Sequence, residues 1–168
     1  LGSAGMMYVA QLADGKYVVV DGGNSGSITT DEYDKERLYQ FMVQHKPSSM
    51  AKPVIACWIF THPDADHIKL ANSFVYFYGY KQKDVEVESV AYNFAEEFLC
   101  DEDGNATQDK ATDKSNKDSI ALMKQRFTDY YPTAPHYNFH SGQSLSFKGM
   151  TIEILQTEED YSRAASES

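Results

Sequence analysis

Four of the seven residues in Thr61-His62-Pro63-Asp64-Ala65-Asp66-His67 carry side chains that bind cations: His62, Asp64, Asp66 and His67. In an extended segment side chains two apart point the same way, so His62, Asp64 and Asp66 can converge. A helix beginning near Asp66 would turn His67 towards them. Imidazole with carboxylate is a ligand set for zinc, iron or manganese and a poor one for soft copper. The bland alternative is a solvated, Asp-rich turn in which the histidines cap a helix.

The motif directly follows the apolar run Val54-Ile55-Ala56-Cys57-Trp58-Ile59-Phe60, which is short, β-branched and aromatic and starts after Lys52-Pro53. That run predicts a buried strand and puts the motif in the loop where the strand ends. Upstream, Met6 to Ala13 and Lys16 to Asp21 read as a hairpin around Asp14-Gly15. Tyr17-Val18-Val19-Val20 then delivers Asp21 to the same sheet edge as His62. After a polar loop, Thr29, Thr30 or Asp31 can cap a helix to about His45, with Leu38, Phe41, Met42 and His45 on one stripe. His45, before Lys46-Pro47, suits a partner for the helix C-terminus better than a metal ligand.

Beyond the motif, Ile68, Ala71, Val75 and Tyr78 mark one face of a helix to about Tyr80, and Val85 to Asn93 reads as the next strand. Residues 99–117 collect acidic, Lys and small residues and predict a mobile loop or insertion. Asp101, Asp103 and Asn105 there hint at a calcium loop, but the closing Glu and the flanking apolar helices are missing. Asp118 then caps a helix through Tyr131 that Pro132 stops, and Pro135 to Gln156 gives two or three strands turning at Ser141-Gly142 and Lys148-Gly149. This alternation predicts an α/β (α+β) domain with a mixed sheet and helices packed on it.

At 168 residues and 42% hydrophobic content the chain suits one domain or part of one. A net charge of -10 does not support a nucleic-acid surface, which needs Lys and Arg patches. Cys57 and Cys100 form no spaced framework and read as unpaired thiols. No apolar stretch reaches the length of a membrane span. Neither a cytoplasmic nor an exported location is indicated.

A strand followed by T-H-P-D-A-D-H, with Asp21-Gly22-Gly23 closing an earlier strand, resembles the metallo-β-lactamase superfamily, whose signature is H-x-H-x-D-H. Asp64 stands where that signature has its second His. This H-x-D-x-D-H variant is similar to the metallo-hydrolase domain attached to bacterial competence (DNA-uptake) channel proteins and to its stand-alone relatives. The resemblance follows the whole chain in order, although only His62 to His67 is specific. It implies the N-terminal half of an αββα sandwich with helices on one face, residues 1–168 being a partial domain whose missing C-terminal half completes the site.

The resemblance further implies two divalent metal ions, zinc first and manganese or iron as alternatives. His62, Asp64 and His140 would form one site, with His136 competing for the place of His140; Asp66 and His67 would begin the other. Asp66 would also be the catalytic residue that aims the nucleophile, and Asp21 would lie beneath the metals and orient their ligands. A metal-bound hydroxide would attack a phosphodiester or ester-type bond of a small-molecule or phosphodiester substrate. Hydrolysis of small thioesters or lactams, and a non-catalytic binding domain, are the other functions it allows. The half alone is expected to be inactive and need not hold the ions. Asp64 in place of His supplies a harder, anionic ligand that should shift preference from zinc towards manganese or iron. Relatives often carry Gly-Gly after D-H-I, where this chain has Lys69-Leu70, which alters the packing of the helix start.

Overall fold

The computed structural model describes residues 5–24, 28–94 and 110–157. Strands β1 (Tyr8–Gln11) and β2 (Tyr17–Val20) form the expected antiparallel hairpin, with Tyr8 opposite Val20 and Gln11 opposite Tyr17. Helix α1 (Ile28–His45) leads to β3 (Val54–Phe60), helix α2 (Ala65–Phe74) and a π-helical turn, Val75–Lys81. Two short strands, β4 (Glu86–Val87) and β5 (Val90–Tyr92), precede α3 (Lys110–Tyr130) and β6 (His136–Asn138). The hairpin β7 (Ser144–Phe147) and β8 (Met150–Glu153) follows.

The main sheet has the order β1-β2-β3-β5-β6, with β4 also on β3; β1 is antiparallel and the others run parallel. Parallel strands are covered on both faces, and β3 shows it: Ile55, Cys57, Trp58, Ile59 and Phe60 are all buried. One face carries the helices, where Trp58 meets Phe74 and Phe127 edge-on at centroid distances of 5.6 and 5.7 Å. On the other face Val18, Cys57, Ile59 and Ala91 pack with Leu145 and Ile152 of the β7–β8 hairpin, joined by Phe139 and Ile154. The layers are therefore helix, mixed sheet and a second small sheet. Burial also pushes the Cys57 thiol up to about 11, so it stays protonated at neutral pH.

A bulge sets which side chains of β3 face which layer. Tyr17 pairs with Ile55 but Val18 pairs with Cys57, so Ala56 is the extra residue. Its carbonyl accepts the Ser89 hydroxyl at 2.6 Å.

Several boundaries differ from the sequence reading. Helix α1 already begins at Ile28, ahead of Thr29, Thr30 and Asp31. The helix after the motif starts at Ala65 and widens into a π turn from Val75 instead of continuing regularly to Tyr80. Helix α3 starts at Lys110, so Asp118 lies within it and residues 110–117 are helical. Residues 99–109, including Asp101, Asp103 and Asn105, and also Cys100, lie outside the described residues. No helix among the described residues is long and apolar enough to cross a membrane.

The start of α2 is pressed onto the Asp21-Gly22-Gly23 turn. Gly22 N–H donates to the His67 carbonyl at 2.6 Å, and Leu70 N–H donates to the Gly23 carbonyl at 3.1 Å. A Cβ on Gly22 would stand 2.6 Å from both the backbone nitrogen and the Cβ of Ala71. Leu70 is itself fully buried. Gly22→Ala should therefore destabilise the protein by about 1–3 kcal/mol through overpacking. Urea unfolding measures it, and unchanged stability would mean that α2 does not rest on this turn.

Candidate functional site

Four of the parallel strands end at one edge of the sheet: β2 in Asp21, β3 in Thr61 and His62, β5 in Asn93, and β6 in Phe139 and His140. Crevices at this carboxyl edge are where open α/β sheets place ligands. Asp21 is the anchor of the edge. Its N–H donates to the Ile59 carbonyl at 2.7 Å, carrying the β2–β3 pairing one residue further. Its φ of 58° is left-handed, a conformation that Asp tolerates better than most residues.

The Asp21 carboxylate is 1% exposed and accepts three donors. Thr61 N–H reaches Oδ1 at 2.8 Å, and the Thr61 hydroxyl reaches Oδ2 at 2.6 Å. His67 Nδ1 lies 2.9 Å from the same Oδ2. An ionised carboxylate only accepts, so Nδ1 carries the proton, and in the neutral ring Nε2 keeps the lone pair. Trp58 adds a fourth tie, donating its indole N–H to the Asp21 carbonyl at 3.0 Å.

The rest of the motif is less tightly held. The His62 side chain is 43% exposed, and its Nδ1 is 3.3 Å from both the Asp64 backbone nitrogen and Asp64 Oδ2. The His62 and His67 rings are 5.3 Å apart. Asp64 occupies the cap position of α2 in extended conformation without a side-chain cap hydrogen bond. Because the helix begins at Ala65, the period-two alternation ends at Asp64, and Asp66 occupies the first helical turn instead of the face of His62 and Asp64. Among the described residues no three His, Cys, Asp or Glu side chains are grouped to hold a metal ion. The expected set of His62, Asp64 and His140 is thus not assembled, nor is Asp66 with His67 joined by a third ligand.

His140 follows β6 on an exposed loop, its N–H donating to Gln143 Oε1 at 2.9 Å. His136, the competing candidate, sits at the start of β6 in register with Val90, two positions short of the edge. Its Nδ1 is 3.1 Å from the Tyr92 hydroxyl, and its Nε2 is buried without a hydrogen-bond partner among the described residues. Desolvation, and then the Lys124 ammonium, hold the His136 imidazole below its ordinary value.

The sequence reading passed over Thr61 and Asn93. Thr61 is the first letter of the motif, and Asn93 ends a predicted strand, where a polar residue reads as a turn signal. Asn93 is buried and donates from Nδ2 to the Phe139 carbonyl at 2.8 Å, tying the ends of β5 and β6 together. Thr61, His62 and Asn93 face a cavity of about 470 Å³, with Val20, Ile59 and Phe139 as apolar wall and residues 152–157 closing its far side.

No protein-family model matches the chain, and no curated protein matches it. Among solved structures it is similar to a beta-lactamase domain protein from Burkholderia ambifaria, at 17% identity and a TM-score of 0.49. The match covers 86% of this chain and 39% of the other, so the chain spans about two fifths of that protein's length.

Two outcomes follow from the geometry. Asp21→Ala orphans the Thr61 and His67 donors and should cost about 2–4 kcal/mol in urea unfolding; a loss under about 0.5 kcal/mol, the size of an ordinary surface change, would contradict the network. The folded His136 binds its proton more weakly than the unfolded one, so its contribution to stability is full above the ordinary value of 6.5 and is lost as pH falls below it. Thermal midpoints of wild type and His136→Gln should therefore diverge between about pH 7 and about pH 5, the variant losing less; parallel curves would remove the assignment.

Proposed function

We propose that this chain is part of a metal-dependent hydrolase of the metallo-β-lactamase superfamily, acting on a phosphodiester or ester-type bond. The observation that supports it most is the contact between the Asp21 carboxylate and His67 Nδ1 at the carboxyl edge of the sheet. Ligand histidines commonly donate their second ring nitrogen to a carboxylate, which fixes the tautomer and aims the other nitrogen. Here that nitrogen is Nε2 of a His inside an H-x-D-x-D-H motif.

The donor types of the motif suit zinc, manganese or iron, while only one imidazole, that of His67, is fixed by a buried partner. On this reading His62, Asp64, Asp66, His67 and His140 are the ligands this chain offers, and a second half of the domain supplies the others. Bound ions would polarise the scissile bond and activate water. The chain's own residues do the rest: Thr61 holds Asp21, Asp21 holds His67, and Asp66 accepts a hydrogen bond from the attacking water and so aims it. Asn93, on the cavity wall, supplies a polar contact to substrate.

The apolar wall formed by Val20, Ile59 and Phe139 favours a second substrate class, a small carboxylic ester or thioester, over a long polyanion. The net charge of -10 points the same way.

Metal content and turnover test the proposal together. In the protein extended through a second half, plasma mass spectrometry should find about two ions per chain, with hydrolysis of bis(p-nitrophenyl) phosphate or p-nitrophenyl acetate. Asp21→Asn should weaken metal binding by about 10- to 100-fold. An extended protein that takes up no zinc or manganese, or an Asp21→Asn variant that binds them as tightly as wild type, would overturn it.

A further inference from the structure

Strand β1 closes one side of the main sheet and has no strand on its outer side among the described residues. The ladder fixes which backbone groups it offers there. Leu12 N–H donates to the Lys16 carbonyl at 2.8 Å, so Leu12 is turned towards β2. Alternation along the antiparallel pair turns Tyr8 and Ala10 inward as well, and leaves the N–H and C=O of Val9 and Gln11 pointing away from the sheet. Edge strands are ordinarily blunted by a charge, a proline or a bulge. Here Met6 to Leu12 contains neither charge nor proline, and the register of β1 with β2 is unbroken. Met6 and Tyr8 are exposed at this edge, and exposed Phe41 of α1 shares with Met7, Val9 and Leu38 the wall of a cavity of about 360 Å³ beside it. The two charged residues of that wall offer little to an incoming group, since the Asp34 carboxylate oxygens are closed off from solvent and Arg37 already has a partner.

We propose that β1 pairs with β1 of a second copy of this chain, antiparallel across a two-fold axis, so that the main sheets of two molecules run on as one. A two-fold contact sets one patch against itself. With Val9 opposite its own copy, the two valines exchange N–H···O=C bonds, Gln11 does the same with Met7 of the other chain, and every outward group of Val9 and Gln11 is used. The pairing stops there, because the next outward donor, Ala13 N–H, already goes to the Lys148 carbonyl at 3.1 Å. Side chains follow the same alternation. Met7 and Val9 pack on the helix side of the sheet, so their counterparts in the second copy come to lie beside the apolar wall of Leu38 and Phe41. Charge selects the partner. Molecules of net charge -10 repel one another over most of their surface, and an edge strand without charge is where two of them meet at least cost. A segment that brought Lys or Glu to this edge would set a charge against methyl, thioether and phenyl groups.

Sedimentation velocity of the whole 168-residue chain over a wide concentration range tests this, together with amide exchange read by NMR. The wild type should pass from monomer to dimer as concentration rises, with the Val9 and Gln11 amides protected in the dimer and exchanging fast in the monomer. Val9→Pro removes an outward donor and no bond of the β1–β2 ladder, and Tyr8→Glu adds a negative charge at an exposed position of the edge in both copies. Each should weaken the dimer by at least about tenfold. A chain that stays monomeric throughout, or a dimer that both variants leave intact, would overturn the proposal. So would Val9 and Gln11 amides already protected in the monomer, since the chain would then cover its own edge. If Val9→Pro does not fold, Tyr8→Glu and amide exchange decide alone.

Discussion

The carboxylate of Asp21 accepts hydrogen bonds from two segments at once, the Thr61 end of β3 and the first turn of α2. It does so from a left-handed backbone, a conformation that costs about 1–2 kcal/mol. Three donors to one buried carboxylate more than offset that strain, since hydrogen bonds to a charged group contribute about 1.5–3 kcal/mol each. The turn, the strand end and the helix start are consequently one unit. Trp58, whose ring fills the core beneath, ties that unit to the helical layer through its indole N–H.

Other features of the edge depend on this unit. Gly22 and Gly23 let the backbone of α2 come down onto the turn, which brings His67 within reach of Asp21. The bulge at Ala56 shifts β3 against β2, so that Trp58 and Phe60 face the helices while Ile59 faces the hairpin and the cavity. Asn93 performs a simpler version of the same task between β5 and β6. A sheet edge whose strand ends are pinned to one another is a rigid base for polar side chains, and rigidity is what a reacting group needs from its support.

Much of this was legible in the sequence. The apolar run Val54 to Phe60, the Asp14-Gly15 turn and the Ile68, Ala71 stripe each carry a local signal strong enough to survive tertiary packing. The meeting of Asp21 with the motif was also readable, because both end parallel strands. What escaped were boundaries without periodic apolar residues. Residues 110–117 have no apolar stripe to announce α3. The one-residue difference between a helix starting at Ala65 and one starting at Asp66 separates Asp66 from the alternation of His62 and Asp64. Asn93 and Thr61 look like ordinary loop polars until their partners are seen.

The central claim is that Asp21 fixes the ring of His67 with Nδ1 protonated. Nitrogen-15 NMR of the histidine rings reads this directly, because protonated and lone-pair nitrogens resonate in well separated ranges. The neutral ring of His67 should be the Nδ1–H tautomer in the wild-type protein and a tautomeric mixture in Asp21→Asn. A His67 that already exchanges between tautomers in the wild-type protein, or that is protonated at Nε2, would contradict it.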